Sequence, residues 1–248
     1  MLDLRPEDAI HKSYLNRLLI EVCDQPRLSQ VLAFKGGTCA SMLGFLDRFS
    51  VDLDFDLIQK TGATIVREEF RRIFDHLGLA VTKEFDDAIL FQVRYPSAPG
   101  RRNSIKVGVN SLIVTANQYK VQYFPEIDRL LNSQTAETMF ANKLVAVMDR
   151  YRLHQTVAGR DIYDIHHFFI SGYAYLGSVI RERTGDDPRR YFEKLIEFIR
   201  QNVTQTLINE DLNTLLPNHK FQEIRKVLLP ETINFLIEEQ SNLGRMVD

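Results

Sequence analysis

The sequence predicts an α/β (α+β) protein: a mixed-sheet lobe over residues 1–130, then an all-helical lobe over residues 131–248. Three observations carry this prediction. Short apolar runs rich in Val, Ile, Phe and Tyr, bounded by turn residues, recur between Val31 and Phe124. From Gln134 onward the apolar period becomes helical. Between Val31 and Ile58, an apolar run feeds Gly36-Gly37 and a second run returns, a strand–turn–helix–strand unit of a layered α/β lobe.

Taken in order, residues 6–23 read as a helix that covers one sheet face. Pro6 suits its first turn, Glu7 and Asp8 suit its positive end, and Ile10, Leu15, Leu18 and Val22 fall at helical spacing. Asp24-Gln25-Pro26 ends it. Residues 31–34 form a strand, 38–46 a helix and 51–58 a strand. Thr61-Gly62 is a break, and residues 65–77 are an amphipathic helix capped by Gly78. Strands follow at 81–85, 88–95 and 104–111, with Asp86-Asp87 as a hairpin turn and 96–103 as a loop. Residues 112–124 are one or two edge strands, and 125–133 are a connection that holds the lobe boundary. Thr135 caps a helix over 136–151, with Met139, Phe140, Leu144, Val147 and Met148 as its core stripe. A further helix runs from Gly159 through Ile170, and the tail holds helices at 189–202, near 209–215 and at 221–239.

Composition narrows the classes. A net charge of −2 argues against a broad nucleic-acid-coating surface and leaves room for a local basic cleft. The two cysteines, Cys23 and Cys39, have neither metal-site spacing nor a disulfide framework, which fits a reducing cytoplasm. The stretch from Met1 to Pro6 does not read as a signal peptide. No apolar run approaches the roughly 20 residues of a membrane span, so no membrane partner is expected.

The chemistry concentrates in Lys35-Gly36-Gly37-Thr38 and Asp52-Leu53-Asp54-Phe55-Asp56. The glycines let backbone N–H groups approach a phosphate, Thr38 adds a hydroxyl, and a helix start favours an anion. Asp52, Asp54 and Asp56 alternate, so they share one strand face. Crowded carboxylates repel, and a hard divalent cation such as Mg²⁺ (or Mn²⁺) relieves the conflict. This is equipment for metal-dependent chemistry on a nucleoside triphosphate. On a later strand Lys106, Gly108 and Asn110 share a face. Lys143 and Arg150 lie seven apart on one helix face, and Asp161 and Asp164 three apart on the next helix. Residue chemistry alone favours a capping role for Asp161 and a local ion pair for Asp164. His166-His167 lack zinc spacing and read as packing or surface residues. Arg101-Arg102 reads first as a solvated loop and second as a phosphate-backbone contact, and the cluster Arg181, Arg183, Arg189 and Arg190 reads at least as well as a solvated face as it does as an RNA guide.

Gly37-Thr38, thirteen intervening residues and Asp52-x-Asp54 resemble the signature of the DNA polymerase β-like nucleotidyltransferases. The fuller string, Lys35-Gly-Gly-Thr38 … Arg48-Phe-Ser50-Val-Asp52-Leu-Asp54, is similar to the AbiEii/AbiGii group of bacterial toxins. So are Ala141-Asn-Lys143 and Gly159-Arg160-Asp161-Ile-Tyr163-Asp164. The resemblance covers about residues 30–170. It implies a nucleotidyltransferase-type fold, an NTP donor, release of pyrophosphate and metal held by Asp52 and Asp54. It also implies an active-site role for Lys143 and for Asp161 or Asp164, in a cleft that the helical lobe completes. Lys35, Gly36, Gly37, Thr38, Arg48, Ser50 and Lys106 make up the implied nucleotide-binding set, with Ser50 bracing the turn.

The group often carries Lys-x-Glu on the later strand, and this chain has Gly108 where the acid falls. Asp56 and Asn110 are the candidates to substitute for that acid. By the resemblance the acceptor is RNA, with the tRNA 3′ end foremost, and a cognate antitoxin protein exists. Transfer to a small molecule or a protein stays open, as does a non-catalytic nucleotide- or RNA-binding module. A P-loop enzyme is disfavoured because Lys35 precedes the glycines and no G-x-x-x-x-G-K-[ST] string is present.

Overall fold

The computed structural model describes residues 8–59, 62–98 and 100–245. The N-terminal stretch, the expected helix start at Pro6 and Thr61 of the expected break lie outside the described residues.

The elements run α1 (Ala9–Asp24), α2 (Pro26–Ser29), β1 (Leu32–Lys35), α3 (Gly36–Met42), β2 (Leu53–Leu57), α4 (Ala63–His76), β3 (Ala80–Phe85), β4 (Ile89–Arg94), β5 (Ser104–Asn110), β6 (Tyr119–Phe124) and β7 (Arg129–Gln134). Helices follow: α5 (Ala136–His154), α6 (Gly159–Ile170), α7 (Gly177–Thr184), α8 (Pro188–Asn202), α9 (Gln205–Leu212), α10 (Asn218–Ile224) and α11 (Leu228–Arg245). The chain divides into two compact units. One comprises Met1–Ile113 with Gln118–Thr135, the other Val114–Asn117 with Ala136–Asp248. Strand β7 therefore crosses the division expected at residue 130.

In the first unit the described strands form one mixed sheet in the order β3-β4-β5-β2-β1-β7-β6. β2 lies antiparallel to β1 and parallel to β5, and β1 lies parallel to β7. Directly opposed residues project to the same side, so Phe34 and Phe55 share one face while Lys35, Asp54, Ala33 and Asp56 share the other. The first face carries the core. Phe34 stacks near Phe55 at 5.3 Å, Phe55 near Phe70 of α4 at 6.1 Å, and Phe74 near Phe91 at 5.2 Å. Burying rings of this size supplies most of the sheet's stabilisation. The second face carries Asp54 and Asp56 and is the Asp face below.

Three departures from the expected elements have physical causes. Helix α3 ends at Met42 and not at residue 46, because Gly44 takes φ +76 and the Phe45 and Leu46 N–H groups fold back to the Ala40 carbonyl. Residues 125–133 are not a connection: after a turn with Asp128 at φ +52 they form β7, between β6 and β1. Its buried Ser133 and Gln134 are polar, and that hid the strand in the sequence. The expected helix 221–239 is two helices, α10 and α11. Pro230 lacks an N–H and fits a first turn, not a helix interior. Just before the tail, α7 had no counterpart among the expected helices.

In the second unit α5 packs on α6 and α7, and α11 packs on α6 and α8. Phe140 stacks on Phe168 at 4.9 Å, and Phe169 on Phe235 at 5.7 Å. Among the described residues, no helix is long and apolar enough to cross a membrane.

Candidate active site

Strand β1 delivers the chain to a turn built for glycine. Gly36 sits at φ +80, where a side chain is strained, and a Cβ there would lie 2.7 Å from Asp54 Oδ2. At Gly37 a Cβ would lie 2.8 Å from Ser50 Oγ and 3.1 Å from an Arg48 guanidinium nitrogen. Both glycines therefore exist to let the backbone approach the Asp strand and the segment before it. With seven residues, α3 offers a cradle of backbone N–H groups and little helix dipole.

Several predicted nucleotide-set side chains turn out to be braces. Thr38 is buried, and its hydroxyl donates to the Asp52 carbonyl. That bond ties α3 to the start of the Asp strand and commits the donor that was expected to meet a phosphate. Arg48 is 3% exposed, donates to the Phe49 carbonyl at 3.0 Å, and lies under Gly37. Lys35 places Nζ 2.6 Å from Asp56 Oδ1.

The three aspartates separate into two kinds. Asp52 is half-buried and accepts from the Lys106 backbone N–H at 3.3 Å. Asp54, also half-buried, opposes Lys35 on one neighbouring strand and Gly108 on the other. A Cβ at Gly108 would lie 3.3 Å from Asp54 Oδ1, so a side chain there would stand beside Asp54. Asp56 is buried and spoken for. Besides Lys35, it accepts from Gln134 Nε2 at 2.6 Å and from Tyr119 Oη at 3.1 Å. Three donors on two oxygens satisfy a buried carboxylate. The expectation that Asp56 could replace the missing third acid is thereby corrected: it is a structural anchor on the Asp face. Asn110 opposes it in the register.

Two supporting groups had no sequence signal. Gln134 reaches Asp56 across a separation of 78 residues. His11 of α1 donates from Nε2 to the Val51 carbonyl at 2.9 Å, and its Nδ1 lies 2.9 Å from the Tyr95 hydroxyl. It holds the backbone just before Asp52. Burial pushes the His11 pKa below its ordinary value of 6.5, outweighing the opposing effect of its bond to Val51.

In the second unit the two later motifs form two ion pairs between α5 and α6. Lys143 Nζ lies 2.7 Å from Asp164 Oδ2, and Arg150 Nε lies 2.9 Å from Asp161 Oδ2. Both carboxylates are buried. Asp161 is therefore not the N-cap, a position held by Ala158, and Asp164 is paired across helices with Lys143. Arg183 bonds Asn142 Oδ1 and Asp149 Oδ2, both at 2.6 Å, and Arg190 pairs with Asp186 at 3.4 Å. The tail's basic cluster is thus partly neutralised. His166 is buried against Glu231 at 2.7 Å, in keeping with a packing role.

Among the described residues, no group of three or more His, Cys, Asp or Glu side chains is arranged to hold a metal ion. The donor set to weigh is the half-buried carboxylate pair Asp52 and Asp54. It fits a Mg²⁺-like cation, which commonly takes one or two protein carboxylates and completes its shell with water and substrate phosphates.

A glycine turn clamped against an Asp-x-Asp strand in a mixed sheet is the arrangement that the sequence's resemblance to the nucleotidyltransferase class implies. The family profile described as nucleotidyl transferase AbiEii toxin, type IV TA system, matches residues 17–231. The chain belongs to this family, and it is a nucleotidyltransferase of a toxin–antitoxin group. No curated protein sequence matches the chain. Among solved structures, it is similar to a protein described as a candidate nucleotidyltransferase from H. pylori. That match has a TM-score of 0.61 and 18% identity, and covers 98% of this chain and 99% of the other. It is also similar to JHP933 from Helicobacter pylori, at a TM-score of 0.51 and 18% identity, over 99% of this chain and 100% of that one. At such identity the likeness concerns the fold.

Proposed function

We propose that Asp52 and Asp54 form the centre at which a nucleotide passes from an NTP to an acceptor hydroxyl on RNA, with the tRNA 3′ end foremost. The observation that carries this reading is the lodging of Asp54 between the backbones of Gly36 and Gly108, with Asp52 tied to Thr38 and Lys106. A phosphate cradle and a carboxylate pair thereby share one small region.

Asp52 and Asp54 would hold Mg²⁺ or Mn²⁺, which when bound neutralises phosphate charge and acidifies an attacking hydroxyl. The chain's own groups do the positioning. The N–H groups of the Gly36-Gly37 turn receive the β- and γ-phosphates. Lys35 and Arg48 hold that turn's supports in place, and Ser50 braces it from below. Lys106 sits one row from Asp54 on the Asp face. Chemistry of this type depends on orientation and charge neutralisation, so no covalent nucleophile is required. Lys143, with Asp161 or Asp164, is assigned a second active role on the strength of the family motifs. An antitoxin partner follows from the family's description as a type IV toxin–antitoxin system. Both NTP and RNA place the work in the cytoplasm.

The test is incubation with each α-³²P-labelled NTP, Mg²⁺ and total tRNA, followed by gel separation. Label should move onto RNA with the wild-type chain and not with Asp54→Ala, while both melt at similar temperatures. Equal labelling by Asp54→Ala sinks the site; label that stays off RNA sinks the acceptor.

A further inference from the structure

The Asp face continues from β2 across β5, β4 and β3, and its side chains there can be read from the register. Next to Asp54 runs the row Gly108, Leu90 and Phe85. One residue pair further along runs Lys106, Gln92 and Lys83, which starts beside Asp52 through the Lys106 N–H bond. Arg94 and Ser104 form the next row. Lys83, Arg94 and Lys106 are all exposed. Among the described residues none of the three is in an ion pair. Lys83 instead lies over the Phe85 ring, with Nζ 4.2 Å from its centroid.

Within β3, β4 and β5 the acid is Glu84, and it faces the other way. Glu84 projects to the helix side, where Arg67 and Arg71 of α4 bind it at 2.7 and 2.9 Å. Burial pushes its carboxyl up, but the bonds and charges of Arg67 and Arg71 together outweigh that and hold it below the usual range. In a chain with a net charge of −2, the β3–β5 half of the Asp face is thus a local concentration of cations beside a half-buried aromatic and aliphatic strip.

The direction of the reaction says what this strip is for. Phosphoryl-type displacement runs in line: the attacking oxygen and the leaving group stand on opposite sides of the phosphorus. If the leaving pyrophosphate rests on the Gly36-Gly37 turn, one flank of Asp54, the attacking hydroxyl arrives over the other flank. That flank is Gly108, and a Cβ there would already press on Asp54. The absent side chain keeps the approach open.

We propose that the β3–β5 half of the Asp face seats the RNA strand that carries the acceptor hydroxyl, with Lys83, Arg94 and Lys106 on its phosphates and Phe85 and Leu90 under a terminal base. This rests on the reading of the site given above. In the step itself the acceptor oxygen bonds to the α-phosphorus and the bond to the bridging oxygen breaks. Pyrophosphate departs with that electron pair, and the hydroxyl proton goes to water. Exposed bases stack on aromatic rings with little regard to sequence, and phosphate contacts make the affinity salt-dependent.

The test uses the full chain, a short fluorescein-labelled single-stranded RNA, and a titration of salt. Lys83→Gln with Arg94→Gln should flatten the slope of log affinity against log salt by about 1.4, from about 0.7 per phosphate contact on a single strand. Affinity for a fluorescent NTP should be unchanged. Lys83→Arg with Arg94→Lys should keep the wild-type slope, which separates charge from folding. Arg17→Gln, on helix α1 of the core side, should change nothing. An unaltered slope in the Gln variant, with RNA still bound, overturns the placement and leaves the transfer reading intact. Absence of RNA binding by the wild-type chain, with label moving to another acceptor, overturns the RNA reading and this placement together.

Discussion

Alanine at Gly36 separates two costs that are usually entangled. Gly36 and Gly44 both sit in the left-handed region, at φ +80 and φ +76. An alanine at either position pays about 1 kcal/mol of backbone strain. At Gly44 nothing lies within 4 Å of the new methyl group, whereas at Gly36 it meets Asp54 Oδ2 at 2.7 Å. The second contact is shorter than any ordinary van der Waals approach, so Asp54 or the turn must shift. A misplacement on the order of 1 Å at a reacting centre costs about 10²-fold in rate, or about 2.7 kcal/mol of transition-state stabilisation. Gly44→Ala should therefore lower the melting temperature by about 2–4 °C and leave the rate of nucleotide transfer within a few-fold of wild type. Gly36→Ala should melt lower still and transfer label at about one-hundredth of the rate. The paired assays are thermal melting by circular dichroism and initial rates with the preferred labelled NTP. Wild-type transfer by Gly36→Ala would refute the claim that this turn positions the carboxylate.

Other outcomes follow from the buried pairs. Lys35→Ala leaves Asp56 buried without its cation and should cost about 3 kcal/mol, read as a drop in denaturation midpoint, because breaking one partner of a buried pair strands the other. Lys143→Met with Asp164→Leu should restore stability lost in Lys143→Ala, since apolar replacement of both partners removes the stranded charge. If Lys143 serves transfer, activity stays lost in that double variant; full activity would make the pair purely architectural. His11 gives a pH dependence. Its folded pKa lies below 6.5, so as pH falls through 6.5 the unfolded chain takes up a proton that the folded chain refuses, and stability declines. Above 6.5 this contribution is complete, and His11→Asn should flatten the melting-temperature profile on the acid side of pH 6.5.

The sequence by itself determined the local chemistry. A Gly-Gly step and alternating carboxylates act through φ angles and a two-residue period, which are properties of neighbours along the chain. The same is true of the amphipathic stretches that became α1, α4, α5 and α8. Lys143 with Asp164, and Arg150 with Asp161, were legible as helix faces but not as partners. Tertiary structure decided how the three aspartates differ in burial and in their bonds, because that depends on packing and on donors far away in sequence. Asp56 looks identical to Asp52 and Asp54 in the motif. Gln134 and Tyr119 bind it, and they sit on strands that the sequence alone placed in a connection or left undivided. Strand order likewise decided that Gly108 stands against Asp54 and that Lys83, Lys106 and Arg94 gather on the Asp face. Cross-strand neighbours are chosen by sheet register, and register is a property of the packed whole, not of the segment.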